Sequence, residues 1–506
     1  MHRQKGQNQA PGYGQTFSLL VVANSLLCGC ISMQAGPGET SVTDNPDQDE
    51  NLVQGSRTDL TVVEGSSLVV ESVLLDPIIR PLSTLKALTG LVVKSATGVI
   101  DRTFISPMRF SKLQEQPIPR IGNAPPMDLV AWELDLDDIT ETRTVRGSIE
   151  FLIDGDEFFP RLISAIESAE ESIDIRTYIF DNDDVGVQIA DHLRHKAEQV
   201  DIKILVDGLG DLVAGNVDSR SLPEDFKPPA SIEDYLENES MIKMRNQSNP
   251  WFTGDHAKIT LIDRTTAFVG GMNIGREYRY DWHDLMMEIK GPMVDQLQFE
   301  FDKAWDRSSW LGDAAWIVRS IAGAEPVNDD EEFYYPLRML VTNIYDSQIY
   351  RAQVEAIRRA RNYIYIENAY FTDDKILYEL ASARRRGVDV RVIVSSVVDN
   401  GFIELSDKLT INKMLQSGIR VYAYPGMTHV KAAVFDGWAC LGSANLDKLS
   451  LEINQEVNIA TSHPKIVKRL LDRMFLKDFT ASSEIHDEFQ VNIVNYFAEF
   501  VADELL

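Results

Sequence analysis

The chain of 506 residues has few cysteines, few basic residues for its acids, and no apolar run long enough to cross a bilayer as a helix. Three cysteines, Cys28, Cys30 and Cys440, make neither a disulfide framework nor a zinc cluster of cysteines. Cys440 sits in an apolar stretch and reads as a core thiol. A formal charge of −29 would repel nucleic acid and anionic lipid at long range, so an anionic substrate needs a local basic pocket. The apolar run from Phe17 to Leu27 is shorter than the ~20 residues of a membrane span. It follows Arg3 and Lys5 and suits the apolar part of a secretory signal.

That run ends in Leu27-Cys28-Gly29-Cys30, which is similar to a bacterial lipobox and makes Cys30 the candidate lipidation site. An ordinary secretory signal is the alternative. Residues 1–30 are thus expected to be a lipoprotein-type signal segment, and residues 31–60, rich in Pro, Gly, Ser and acids, a disordered tether. The expected location is the bacterial cell envelope, with the chain lipid-anchored at the outer membrane or periplasmic face. Residues 61–146 form an N-terminal helical and linker region. Within it, Leu85, Leu88, Val92, Ala96 and Val99 recur at helical spacing. This helix could lie on a membrane surface; packing on the rest of the protein is expected, because Gly90 and Gly98 weaken it as a free helix. Pro117, Pro119, Pro125 and Pro126 mark a linker.

From Gly147 the chain is duplicated. Ser172–Asp183 parallels Tyr363–Asp374 at an offset of 191, and Val200–Asp207 parallels Val388–Ser395 at 188. Each half reads as helix, strand, helix, strand, with strands that are short continuous apolar runs, as where helices cover both sheet faces. The predicted fold class is α/β: two similar α/β/α sandwich domains with mixed sheets, residues 147–325 and 326–506, related by a pseudo-twofold axis.

Each half carries one His-x-Lys-x4-Asp motif: His256, Lys258 and Asp263, then Gly270-Gly271-Met272-Asn273; and His429, Lys431 and Asp436, then Gly442-Ser443-Ala444-Asn445. In extended backbone, residues i and i+2 share a face, so each histidine and its lysine enter one site. A pseudo-twofold would bring both pairs to one cleft, with Asn273 and Asn445 in reach. Lysines and asparagines suit a phosphodiester anion, and two imidazoles suit a nucleophile and a general acid. Asp263 and Asp436 are expected to fix the motif backbone through hydrogen bonds. Asp284 lies 28 residues after His256 and Glu456 lies 27 after His429; these acids are the expected orienters of the imidazoles. His283 invites a metal reading with Asp284, but packing or an interfacial role is expected. No metal or cofactor is called for, because the lysines supply the charge.

These motifs resemble the HKD motifs of the phospholipase D superfamily, and the segments GGMN, HVKAAVFDGWACLGSANLD and IENAYFTDD resemble its bacterial cardiolipin synthase branch. The resemblance spans about Gly147 to Phe479. It implies a phosphodiester-cleaving or -transferring enzyme with a phosphohistidine intermediate, His256 as nucleophile and His429 as acid; the residues alone leave that assignment open. It implies a phospholipid substrate at a membrane surface and an alcohol or water as acceptor; with so acidic a chain, no nucleic acid is expected. An envelope or secreted nuclease of the same superfamily and a non-catalytic lipid-binding protein are the alternatives. A nuclease should show a basic, aromatic-lined groove, for which Arg384, Arg385 and Arg386 are the nearest patch. Gly271 in place of Ser443 departs from strict repetition and removes one hydroxyl contact.

Overall fold

The computed structural model describes residues 70–100, 106–122, 124–210, 222–223, 225–247, 249–322, 334–397 and 401–491. The apolar run of residues 17–27, Cys30 and the 31–60 segment lie outside the described residues.

The first repeat supplies seven strands: β1 (Val145–Ile153), β2 (Ser172–Thr177), β3 (Asp201–Asp207), β4 (Lys243–Gln247), β5 (Ile259–Ile262), β6 (Thr266–Gly270) and β7 (Leu285–Lys290). The second supplies β8 (Tyr335–Asn343), the two-residue β9 (Asp346–Ser347), β10 (Tyr363–Asn368), β11 (Asp389–Ser395), β12 (Arg420–Tyr424), β13 (Lys431–Phe435), β14 (Trp438–Gly442), β15 (Glu456–Thr461) and β16 (Ser483–Ile485). The strand order is β4-β3-β2-β5-β6-β7-β1 in one half and β12-β11-β10-β13-β14-β15-β8 in the other. β2, β3 and β4 run parallel, as do β10, β11 and β12; the remaining neighbours are antiparallel. The mixed α/β fold expected from the duplication is therefore present. The two sheets also join: β1 pairs with β8 from Val145↔Leu337 to Gly147↔Tyr335, so each repeat covers an edge the other would expose.

Strand sequences explain the layers. Ile173 and Ile175 of β2 face helices Asp154–Ser168 and Asp184–Lys196, while Ile364 and Ile366 of β10 face helices Gln348–Arg359 and Asp374–Arg385. Between these outer cores lies a third one shared by both repeats, with Val269, Met287 and Phe301 from the first and Val434, Leu441 and Phe475 from the second. The helix after β2 is capped by Asp183, whose carboxylate accepts from the Gly186 amide, and the helix after β10 by Asp373, which accepts from the Ile376 amide. One capping acid in the same place in both halves fixes the same strand-to-helix exit.

The segment before the repeats is built into them. Trp132 of helix Leu129–Thr140 meets Trp438 edge to face at 5.3 Å, and the buried Arg338 guanidinium binds Glu133, Asp137 and the Thr142 carbonyl. Helix Pro81–Ile100 does pack on the repeats, but not through the face its apolar spacing suggests. Its small residues do the packing: Ala87 is buried, and Gly90 lies so close to Ile344 that a Cβ would come within 2.5 Å of Cγ1. Leu85 and Val92 point outward. Close backbone approach favours small side chains, so Ala87 and Gly90 take the tightest contact, with Leu91 packed beside them.

Cys440, on β14, is buried, as expected, and burial pushes its thiol up to about 11.

Candidate active site

β5 and β13 begin just after their histidines, and Asp255↔Gln455 and His283↔Thr428 are parallel bridges between the repeats at that end of the sheet. The His256 amide donates to the Gln455 carbonyl at 2.9 Å, and the His429 amide donates to the His283 carbonyl at 2.6 Å. Each histidine is thus threaded onto the other repeat, and the acid next in line receives its ring. His256 Nδ1 lies 3.0 and 3.1 Å from the Glu456 carboxylate oxygens. His429 Nδ1 lies 2.7 Å from Asp284 Oδ2. Both expected acids touch a histidine, and each serves the motif of the opposite half. With Nδ1 occupied by a carboxylate, Nε2 of each ring is left for chemistry.

Lys258 and Lys431 fold back so that their ammonium groups donate to the carbonyls of His256 (2.7 Å) and His429 (2.6 Å). The groups feel one another. Burial pushes Lys258 down to about 7, and Lys431 adds to this against the pull of Glu456. Burial lowers His256, with Glu456 opposing. His429 falls well below its usual value through burial, then through Lys431, Lys258 and His256. Burial raises Asp284 to about 7, with Lys431 opposing. A cluster with two lysines and two imidazoles in mutual repulsion is a site prepared for an anion.

Asp263 and Asp436 stand at the far ends of their strands from the histidines. Asp263 accepts from the amides of Glu170, Glu171 and Ser172. Asp436 accepts from those of Met127, Arg361, Asn362 and Tyr363. Both therefore pin the starts of β2 and β10 and touch neither imidazole. They hold the motif's backbone.

The asparagines differ. Asn273 Oδ1 accepts from the Ile179 amide at 3.2 Å, and its Nδ2 donates to the Tyr278 hydroxyl at 2.7 Å, so its carboxamide braces the loop after β2. Asn445 is buried with Oδ1 lacking a hydrogen-bond partner among the described residues. Ser443 donates to Glu456 Oε2 and accepts from the Val457 amide. At Gly271 a Cβ would come within 2.3 Å of Asp284 Oδ1, so the first repeat has no room for the serine's counterpart.

Aromatic side chains not anticipated from the motifs wall the site. The Tyr178 ring stands 5.0 Å from His256 and Trp282 stands 5.1 Å from His429, with Tyr278 at 5.5 Å. Their counterparts in the second repeat are Ala369, Asn454 and Ser450. Aligning the two halves would have revealed them as places where one repeat is aromatic and the other small or polar. The wall leaves the His429 side chain 5% exposed against 13% for His256.

Beside the site, Arg176 and Asp255 form a buried ion pair at 2.6 Å, and Arg176 also reaches Gln455 Oε1 at 3.3 Å. The mirror position holds Glu367, Thr428 and His283. Burial alone would lower His283, yet Asp154, Asp478 and Glu367 carry it up to about 11.

The family described as "Cardiolipin synthase, PLD-like domain" matches residues 162–305 and 354–478, one stretch in each repeat. Among curated proteins, the chain is 28% identical over 369 residues to cardiolipin synthase 2 of Staphylococcus epidermidis, covering 68% of this chain and 70% of that one. It is 28% identical over 383 residues to probable cardiolipin synthase YwiE of Bacillus subtilis, covering 71% and 70%. Among solved structures, phosphatidylserine synthase of Haemophilus influenzae superposes with a TM-score of 0.57 at 14% identity, over 74% of this chain and 99% of that one. That likeness speaks to the fold.

Proposed function

Since the chain belongs to the phospholipase D superfamily, on its cardiolipin synthase-like side, we propose that it is a phosphatidyltransferase that moves a phosphatidyl group from one phospholipid to an alcohol through a phosphohistidine. The observation that carries this reading is the exchange of acids: Glu456 on His256 and Asp284 on His429 bring two oriented imidazoles and two lysines to one place. The stretches 147–325 and 326–506 are taken as the two catalytic domains.

In this mechanism the phosphodiester anion binds between Lys258 and Lys431, with Asn445 offering its carboxamide. His256 Nε2 attacks phosphorus. The bond from phosphorus to the leaving alcohol breaks, and His429, protonated on Nε2 once the bound anion offsets the charges of Lys258 and Lys431 that hold its imidazolium down, gives that oxygen its proton. The acceptor alcohol then loses its proton to His429 and attacks the phosphohistidine, which releases His256. The lysines are worth most where charge builds up on the non-bridging oxygens, in a buried site that screens little. Water can take the acceptor's place, giving hydrolysis. His256 as nucleophile follows the family resemblance and suits its greater exposure; His429, behind Trp282 and Tyr278, suits the proton carrier.

A membrane surface is the natural partner. Ile78, Leu82, Leu85, Trp310, Val318 and Ile321 are all exposed; Leu82 and Leu85 lie on helix Pro81–Ile100 and Val318 and Ile321 on helix Asp313–Ala322, the two tied together by Asp313, whose carboxylate accepts from the Leu82 and Ser83 amides. Apolar exposure on this scale marks an interaction surface, and it supports contact with lipid. No helix among the described residues is long and apolar enough to cross a membrane, so anchoring by a lipidated Cys30 in the cell envelope completes the proposal. The nuclease alternative gains no support from the Arg384–Arg386 patch, since these side chains bind the carbonyls of Gly418, Ser417 and Ile357.

The test offers purified protein phosphatidylglycerol micelles and, separately, plasmid DNA. Lipid turnover with a phosphoenzyme lost in His256→Ala is expected; DNA nicking without lipid turnover would overturn the proposal.

A further inference from the structure

The duplication sets up a comparison that the catalytic site does not use. In the first repeat, the residue before the histidine is Asp255, the residue before the crossing acid is Gln455, and the fifth residue of the central strand is Arg176. The guanidinium lies between the other two. In the second repeat, the corresponding residues are Thr428, His283 and Glu367. The built-in cation has been exchanged for a carboxylate. Asp478 adds a second carboxylate and Asp154 a third.

This charge reversal leaves three buried polar atoms, His283 Nε2, Glu367 Oε2 and Asp478 Oδ2, with no hydrogen bond of ordinary geometry among the described residues. His283, Glu367 and Asp478 are 7%, 0% and 6% exposed. One ligand atom from each lies within 4.8 Å of the others. His283 Nε2 is 3.5 Å from Asp478 Oδ2 and 3.7 Å from Glu367 Oε1. These separations are too long for good hydrogen bonds. They are close to the ~3.4 Å between neighbouring ligands around a tetrahedral ion with bonds of about 2.1 Å.

On the other side of the ring, Asp154 Oδ1 lies 2.6 Å from His283 Nδ1. A carboxylate on one ring nitrogen fixes the tautomer and aims the lone pair of the other at a metal. Tyr424 stacks on the imidazole at 4.6 Å, and the Thr428 hydroxyl donates to Glu367 Oε1 at 2.6 Å, so ring and carboxylate are both held in place.

We propose that His283, Glu367 and Asp478 bind one zinc ion, as a structural bridge between the two repeats and separate from the two-histidine site. The nitrogen donor and the small ligand number favour zinc over calcium or magnesium, which prefer six or more oxygens or retain most of their water. The ion fills the position of the Arg176 guanidinium in the other half. It also secures the backbone at His283, whose carbonyl holds the His429 amide and whose neighbour is Asp284.

The experiment uses the full chain, stripped with a chelator and dialysed. Zinc is titrated by calorimetry, and cobalt serves as a visible probe of tetrahedral coordination. One ion per chain is expected, with a raised thermal midpoint and the intense visible bands of tetrahedral cobalt. Glu367→Gln and Asp478→Asn preserve shape and should each weaken zinc binding at least 100-fold. Asp154→Asn should weaken it about 10- to 100-fold. His256→Ala should bind zinc as the wild type does; loss of the ion there would place it in the catalytic site and overturn the proposal. So would zinc binding that survives in the Glu367→Gln, Asp478→Asn double variant. A wild-type chain that takes no zinc, and whose His283 ring carries both protons by nitrogen NMR at pH 9, would show that the imidazolium itself is the missing cation.

Discussion

His256 Nδ1 lies 3.0 Å from an oxygen of Glu456, a residue 200 positions away in the opposite repeat. The matching contact, His429 to Asp284, crosses the other way. Glu456→Gln keeps the shape but presents an amide to the ring, which favours the wrong tautomer at His256. The expected result is a fall in kcat of about 10²- to 10⁴-fold with KM little changed. Steady-state kinetics on mixed micelles would check it; an unchanged kcat would remove Glu456 from the orienting role.

Gly271 and Ser443 are equivalent in position but not in tolerance. Gly271→Ser must displace the Asp284 carboxylate and should cost about 1–3 kcal/mol of stability along with most of the activity. Ser443→Gly removes one buried hydroxyl, with an expected cost of about 1 kcal/mol. Denaturant melts of both variants, with activity measured alongside, would separate the two.

Asp436 tests the backbone-holding role of the motif aspartates. Its carboxylate gathers four backbone amides. Asp436→Ala should lower stability by on the order of 3 kcal/mol while the fraction that stays folded turns over at a near-normal rate. A stable variant with kcat reduced a thousandfold would place this residue in the chemistry instead.

Lys258 governs the response to pH. Its folded value of about 7 means that it is charged below that pH and neutral above it. An anion in the site favours the charged form, so binding at pH 8 should take up protons and weaken by up to about tenfold per pH unit for each proton involved. Calorimetric titration of sulfate in buffers of different ionisation enthalpy would reveal the uptake. Binding without proton exchange at pH 8 would contradict it.

Much of this was legible in the sequence. The two motifs, the duplicated strands and the register of Asp284 and Glu456 are all local features, and they led to the fold and to the residues of the site. The sequence did not reveal which acid serves which ring. Register is counted within a repeat, whereas the crossing arises from how the repeats pack. The joining of β1 to β8 was hidden for the same reason. The outward face of helix Pro81–Ile100 was hidden for another: hydrophobic spacing signals burial, yet close backbone packing favoured Ala87 and Gly90, and Leu82, Leu85 and Val92 were left for a different surface. Tyr178, Tyr278 and Trp282 were missed because they break the repetition that guided the search.

The swap of acids also shapes how this protein can fail. Neither half owns a complete imidazole–carboxylate couple, so a lesion that merely loosens the contact between them disarms both rings together. Damage of that kind should abolish function outright rather than dim it by degrees. Sequence drift in one half is then answerable to the other, which is how two copies free to diverge can remain bound to one task.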